Sequence, residues 1–324
     1  MHDFLGLPIN ASTHGGRIDE MIVVIHYLMF VLFIGWGSFM AFSLFKFHKS
    51  RNKSADHDGV KTHLSSYVEG AVALFEVVLL VVFAYPLWAE RVTNPPNEKE
   101  SVLVRVVAEQ FAWNIHYPGK DGVFGRTDIA LVSSENTLGL DREDPYAKDD
   151  IVSINQLNLP VNKPVIIKLS SKDVIHSFSL PLFRVKQDAI PGQVMKVWFQ
   201  PTMTTAEIRQ HSIKTFSIAN GTIPIGLASL SSVEEYKDGS GTVIVGIGGS
   251  FDDETVPKLL AAGVKEVRAA SDTPTEIACA QLCGLGHFRM RGFVTIQTPE
   301  EFEAWLKEQA HQPVPNDSAA MPAQ

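Results

Sequence analysis

Residues 21–45, MIVVIHYLMFVLFIGWGSFMAFSLF, run for about 25 positions without a Lys, Arg, Asp or Glu, and no other feature narrows the possible folds as much. A helix of that length crosses the roughly 30 Å hydrocarbon core of a bilayer while satisfying its own backbone hydrogen bonds, as lipid requires. A cleaved signal peptide would show a basic start, a shorter apolar core and a small-residue cleavage site. Here Arg17, Asp19 and Glu20 precede the run, so it reads as a retained membrane span. A second apolar stretch, from about residue 70 to 88, is interrupted by Glu76 and carries Pro86 and Trp88 near its far end; it reads as a second span. Carboxylates within a span are costly and usually face protein or water. Glu76, and Glu69 at the helix start, are therefore expected to face a partner subunit, with interfacial snorkelling as the alternative for Glu69.

The connection between the two stretches carries Lys46, Lys49, Arg51, Lys53 and Lys61, whereas the amino-terminal arm carries only Arg17. By the positive-inside rule the connection is cytoplasmic. Both termini then lie outside, together with everything after about residue 90. The chain average, 45% hydrophobic and 20% charged, resembles that of a soluble protein, so the membrane character is concentrated in these two segments. A formal net charge of −8 argues against nucleic acid and favours a cationic partner. With only two cysteines, Cys279 and Cys283, no disulfide framework can hold the fold.

After TNPPNEKE the pattern changes to short β-branched and aromatic runs: SVLVRVVAEQ, KPVIIKLSS, VIHSFSLPLF, QVMKVWFQP and MRGFVTIQT. Divided by Gly, Pro, Asn and Asp, these predict an antiparallel sandwich or barrel. Two stretches break the rhythm, a polar and acidic one over residues 120–156 and a longer one over about 210–272. The second contains Gly246, Gly248 and Gly249, but it has neither the Lys-Ser/Thr of a phosphate loop nor a strand-helix repeat around it, so no nucleotide site is expected. PEEFEAWLKEQA reads as a final helix. The predicted organisation is a two-helix hairpin with its arm over residues 1–92, a β domain over 93–310 with an insertion at about 210–272, and a flexible tail over 311–324.

The segment CAQLCGLGHFRM crowds Cys279, Cys283, His287 and Met290 into twelve residues. Thiolate, thioether and imidazole together suit copper better than hard, oxygen-seeking cations. Each has a plainer reading: the cysteines as a disulfide, the cysteines with His287 as a zinc site, Met290 as core. A disulfide leaves His287 and Met290 unexplained, and structural zinc rarely uses this spacing or methionine. His176, on the predicted strand VIHSFSLP, would by itself more often be a packed core histidine; the late ligand loop raises it to a candidate ligand. A mononuclear blue-copper site uses one thiolate, whereas two thiolates can bridge two coppers.

Along most of its length the chain resembles cytochrome c oxidase subunit II, through DVIHSFSLPLFRVKQDAIPG and CAQLCGLGHFRM. The resemblance implies a transmembrane α-helical hairpin followed by an all-β, cupredoxin-like (Greek-key) extracytoplasmic domain. It also implies a dinuclear copper centre, CuA, with His176, Cys279, Cys283, His287 and Met290 as side-chain ligands and Gln281 contributing its backbone carbonyl. In the family, position 281 is usually glutamate, whose side chain helps bind magnesium or manganese at the contact with subunit I; Gln281 has no charge to offer that ion. Phe111 stands where electrons usually enter through tryptophan, with Trp113 two residues later. Glu69 matches the glutamate at the mouth of a proton channel into subunit I, and Asp188 an acidic position associated with cytochrome c docking, though a solvated surface aspartate is the plain alternative. The long 210–272 segment would either cover the site or meet an unusual donor.

What the resemblance implies is the electron-entry subunit of an oxidoreductase in a bacterial-type inner membrane. A cytochrome c, or a c-type cytochrome domain, would give electrons to CuA, which would pass them to haem in subunit I, where oxygen is reduced and protons are translocated. Without a Cys-x-x-Cys-His motif this chain carries no covalent haem. Two rivals are set aside by particular features: a nitrous oxide reductase lacks the hairpin, and a quinol-oxidase subunit II lacks the cysteines. A third, a copper carrier or assembly factor, is left to purification, from which it would come away without a haem-bearing partner.

Overall fold

The computed structural model describes residues 2–54, 57–59 and 61–310; the expected flexible tail at 311–324 lies outside them. The described residues divide into two units, those from 2–7 and 14–95 in one and those from 8–13 and 96–310 in the other.

The first unit contains two helices long and apolar enough to cross a membrane, Gly15–Lys46 (α1) and Leu64–Thr93 (α2). Their flanks, Arg17 near the start of α1 and Glu90 near the end of α2, form an ion pair, so the helices run antiparallel as a hairpin. Both extend past the apolar runs, because the polar residues at their ends need no desolvation. In α2 the turn Leu79–Ala84 widens to a π-helix, in which Tyr85 N–H bonds the Leu80 carbonyl. Pro86 supplies the cause, since its ring lacks an N–H and collides with the carbonyl four residues back unless the turn opens.

The second unit is a sandwich of two five-stranded sheets. The first sheet has the order β3-β2-β1-β5-β8, formed by Ile151–Ile154 (β3), Ala112–Tyr117 (β2), Val102–Glu109 (β1), Val165–Ser171 (β5) and Met195–Phe199 (β8). The second has the order β4-β15-β14-β6-β7, from Gln156–Pro160 (β4), Arg291–Gln297 (β15), Glu276–Cys279 (β14), His176–Leu180 (β6) and Val185–Ala189 (β7). Each sheet holds one parallel pair, β1 with β5 and β4 with β15, among antiparallel neighbours. Alternate residues of each strand point inward. Val104, Val106, Trp113, Ile115, Ile167 and Leu169 of the first sheet meet Leu157, Leu159, Phe178, Leu180, Ile277 and Val294 of the second in one core. This is the cupredoxin-like fold. Tyr117 ties the sheets together across that core, its hydroxyl donating to the Asn158 carbonyl at 3.1 Å and accepting from Asn158 N at 2.8 Å.

Pro8–Thr13, read from the sequence as part of the amino-terminal arm, packs with the sandwich. Ala11 N–H bonds the Leu182 carbonyl, Thr202 N–H bonds the Ala11 carbonyl, and Ser12 bridges Pro201. The polar stretch after β2 covers the outer face of the first sheet. Asn114 and His116 point away from the core, yet both are fully buried. Asn114 accepts from the Thr137 hydroxyl at 2.6 Å, and His116 Nε2 donates to Asp150 at 2.6 Å.

The insertion folds on a core of its own. After Thr205–His211 (α3) the chain makes Lys214–Ser217 (β9), Ser231–Ser232 (β10), Tyr236–Lys237 (β11), Val243–Val245 (β12), Thr255–Ala261 (α4) and Glu266–Ala270 (β13). β10, β13 and β9 form one small sheet and β11 with β12 a hairpin, around Ile218, Leu227, Phe251, Leu259 and Val267. The glycines at 246–249 turn the chain out of β12, with Gly248 N–H bonded to the Ser232 carbonyl. Helix Pro299–Ala310 (α5) closes the described chain, stacking Phe302 and Trp305.

Candidate metal centre

The sandwich brings the two ligand segments together by strand pairing. His176 opens β6 and Cys279 closes β14, which are neighbours in the second sheet, with Cys279 opposite Phe178. Residues 280–290 form a loop that returns to β15, closed by Cys279 N–H on the Met290 carbonyl at 3.3 Å.

The sulfurs of Cys279 and Cys283 are 3.8 Å apart and both thiols are free, far beyond the roughly 2.05 Å of a disulfide. Around the pair, His176 Nδ1 lies 3.9 Å from Cys279 Sγ and the Gln281 carbonyl oxygen 3.2 Å from the same sulfur. On the other side, His287 Nδ1 lies 3.6 Å and Met290 Sδ 3.7 Å from Cys283 Sγ. Among the described residues, His176, Cys279 and Cys283 form the one cluster of its kind with metal-ligand spacing. All six positions singled out from the sequence around Cys279 thus converge, each thiol facing one imidazole and one further soft or carbonyl donor.

His176 is fully buried although Val174 and Ile175 before it are exposed. Trp113 packs beside it, with its ring centroid 6.2 Å from the imidazole, and Phe178 packs edge-on against Trp113. The Nε2–H of His176 donates to Asp173 Oδ1 at 2.9 Å, so Nδ1 is the ring nitrogen that faces the sulfurs. Partial burial raises the Asp173 carboxyl, but hydrogen bonds from His176, Gln110 N–H and Val174 N–H outweigh it and hold the group below its ordinary range. The Cys283 thiol is pushed up to about 11, by burial first and then by the neighbouring Cys279. A cation binding here must displace thiol protons.

Of the two aromatic candidates for electron entry, Trp113 is fully buried and offers no surface to a docking partner. Phe111 is half-buried and its ring packs closely against Gly284 and Gly286 of the loop. Asp188 is exposed on β7, the strand beside β6, opposite Ser177. Glu69 and Glu76 are exposed on α2, in the other unit. Sequence reasoning missed Gln110 and Asp173, which bond the loop and His176; Asp173 sits three residues before the histidine, whereas nothing in the chain order marks Gln110. The loop also presents an apolar rim, with Leu282, Leu285 and Phe288 at 75%, 96% and 88% exposure.

Residues 102–229 match the family model described as cytochrome c oxidase subunit II, periplasmic domain. The chain is 27% identical over 299 residues to the alternative cytochrome c oxidase subunit 2 of Bradyrhizobium diazoefficiens, an alignment covering 92% of this chain and 82% of that protein. It is 28% identical over 208 residues to cytochrome c oxidase subunit 2 of Cereibacter sphaeroides, covering 60% of this chain and 64% of that one. Among solved structures, the periplasmic domain of subunit II of cytochrome oxidase of Bradyrhizobium japonicum aligns with 66% of this chain and 95% of its own, at 19% identity and a TM-score of 0.33. The family-model match ends before the ligand loop.

Proposed function

We propose, from the premise that this chain belongs to the cytochrome c oxidase subunit II family, that it is the electron-entry subunit of a haem-copper oxidase and holds a dinuclear copper centre. The observation that carries this reading is the unbonded thiol pair, 3.8 Å apart and ringed by two imidazole nitrogens, a thioether and a backbone carbonyl. The donor set fits copper, being soft on both sides, and no carboxylate belongs to the ring of six. His176, Cys279, Gln281 (through its carbonyl), Cys283, His287 and Met290 would hold the ions. Bound there, copper would supply one-electron transfer, a chemistry that soft thiolate, thioether and imidazole donors suit.

The chain's own residues supply the conditions for that transfer. Cys283 and Met290 are buried and His176 is sealed behind Trp113 and Phe178, which keeps water from the inner side of the site. Asp173 fixes the His176 tautomer. The exposed Leu282, Leu285 and Phe288 give the loop an apolar contact surface for the haem-bearing subunit. Asp188, with the chain's net charge of −8, would steer a cationic cytochrome donor. With the basic connection of the hairpin in the cytoplasm, the copper domain lies outside the inner membrane, and Glu69 at the cytoplasmic end of α2 is placed to collect protons for the partner subunit. Gln281 offers a second divalent cation only a neutral amide.

Electron paramagnetic resonance with metal analysis on the purified chain tests the reading. A mixed-valence signal split by two equivalent copper nuclei is expected. A single-copper signal, or stoichiometric zinc, would overturn it.

A further inference from the structure

We infer that Gln110 is a positioning residue that couples the two halves of the metal centre, an inference that rests on the copper reading above. The halves come from different parts of the chain, the His176 strand and the loop of Cys279–Met290. Gln110 belongs to neither. It stands at the corner between β1 and β2, the strands Val102–Glu109 and Ala112–Tyr117 of the opposite sheet.

From that corner it reaches both halves. Its backbone N–H donates to Asp173 Oδ2 at 2.7 Å, while Oδ1 of the same carboxylate accepts from His176 Nε2 at 2.9 Å. Its side-chain amide Nε2 donates to the Cys283 carbonyl. The contact is close on the loop side too, for a Cβ at Gly284 would lie 2.7 Å from Gln110 Nε2. A continuous chain of hydrogen bonds therefore runs from the His176 ring through Asp173 and Gln110 to the backbone of Cys283. Rotation of the imidazole and drift of the buried thiol are both resisted by one residue outside the ligand set. Groups that orient ligands in this way typically govern metal affinity by about 10–100-fold.

The chemistry of the amide suits the task. It needs a donor for the carbonyl, which glutamate at neutral pH cannot provide. Gln110 is exposed and is not part of the core, so its replacement leaves the sandwich intact.

The test uses the full, copper-loaded chain in detergent, with Gln110→Ala, Gln110→Glu, Asp173→Asn and the double variant Gln110→Ala/Asp173→Asn. The readouts are the rate of copper loss to excess chelator and the hyperfine pattern of the mixed-valence signal. Gln110→Ala is expected to load copper but lose it about ten-fold faster, with altered hyperfine splitting. Gln110→Glu is expected to be worse, because it sets a second carboxylate near Asp173 and points an acceptor at a carbonyl. The double variant should show less than the product of the two single effects, since both residues act through one chain of bonds. Gln110 variants that match the parent in rate and spectrum, or effects that multiply independently, overturn the inference while leaving the copper reading in place. A parent chain without any mixed-valence signal brings down both.

Discussion

Gly286 has an ordinary right-handed backbone, with φ at −90°, so conformation does not demand a glycine there. Space does, because a Cβ at this position would overlap the Phe111 ring. Gly286→Ala must therefore lift the ligand loop or push the ring aside, an overpacking that costs about 1–3 kcal/mol. The expected result is reduced copper retention, partly restored by Phe111→Leu in the same chain; no restoration would show that the clash lies elsewhere. A second residue-level prediction concerns His116. Burial lowers its pKa below the ordinary 6.5, outweighing the hydrogen bond to Asp150 that pulls the other way, and Arg105 and Arg142 add to the lowering. An unfolded chain then binds this proton before the folded one does. The contribution of neutral His116 is complete above about pH 6.5 and is lost as pH falls from there towards the folded value. Melting temperature should drop more steeply between about pH 7.5 and 5.5 in the parent than in His116→Gln, and equal slopes would refute the assignment. The ligands were legible because four soft donors within twelve residues have few other uses. Gln110 and Asp173 were not, because a polar residue at a strand corner reads the same whether it meets water or a ligand loop.

At the scale of elements, β-branched runs announced β1, β5, β6, β8 and β15, since alternating apolar residues have one good way to be buried. AWNIHY did not announce β2. Asn114 and His116 occupy its outward positions, and burial of that face depends on a cover that arrives only with residues such as Thr137 and Asp150. β14 and the parallel pairings were equally hidden, because parallel partners such as β4 and β15 lie far apart in sequence. The helix α3 shows a local device that works without tertiary help. Glu207 N–H donates to Thr204 Oγ1 at 3.2 Å while Thr204 N–H donates to Glu207 Oε2 at 2.7 Å, a reciprocal capping box. Thr204→Ala should lower the stability of the folded chain by about 1 kcal/mol. Chemical denaturation measures the loss, and the copper signal should be unchanged because no ligand lies on this helix.

At the scale of the whole molecule, the insertion leaves and rejoins the sandwich through a narrow neck. Arg209 and Asp272 form an ion pair at 3.0 Å across its two ends, and Asp272 also accepts from the Ser231 hydroxyl. Between those ends the chain buries its own apolar set, separate from the sandwich core. A loop with closed ends and a private core can loosen without moving the strands that carry the ligands. Its sequence concealed this, because several of its strands are only two or three residues long and its glycines mimic a phosphate loop. Leu259 is fully buried in the insertion core on α4, and Leu259→Ala should destabilise that module by about 2–5 kcal/mol. Limited proteolysis and hydrogen exchange are then expected to increase within residues 213–270 alone, while the strands β6, β14 and β15 keep their protection and the mixed-valence signal its hyperfine pattern. Exchange that rises equally in the ligand strands would mean that the two cores unfold as one, and that the insertion is part of the scaffold holding the metal centre rather than a module attached to it.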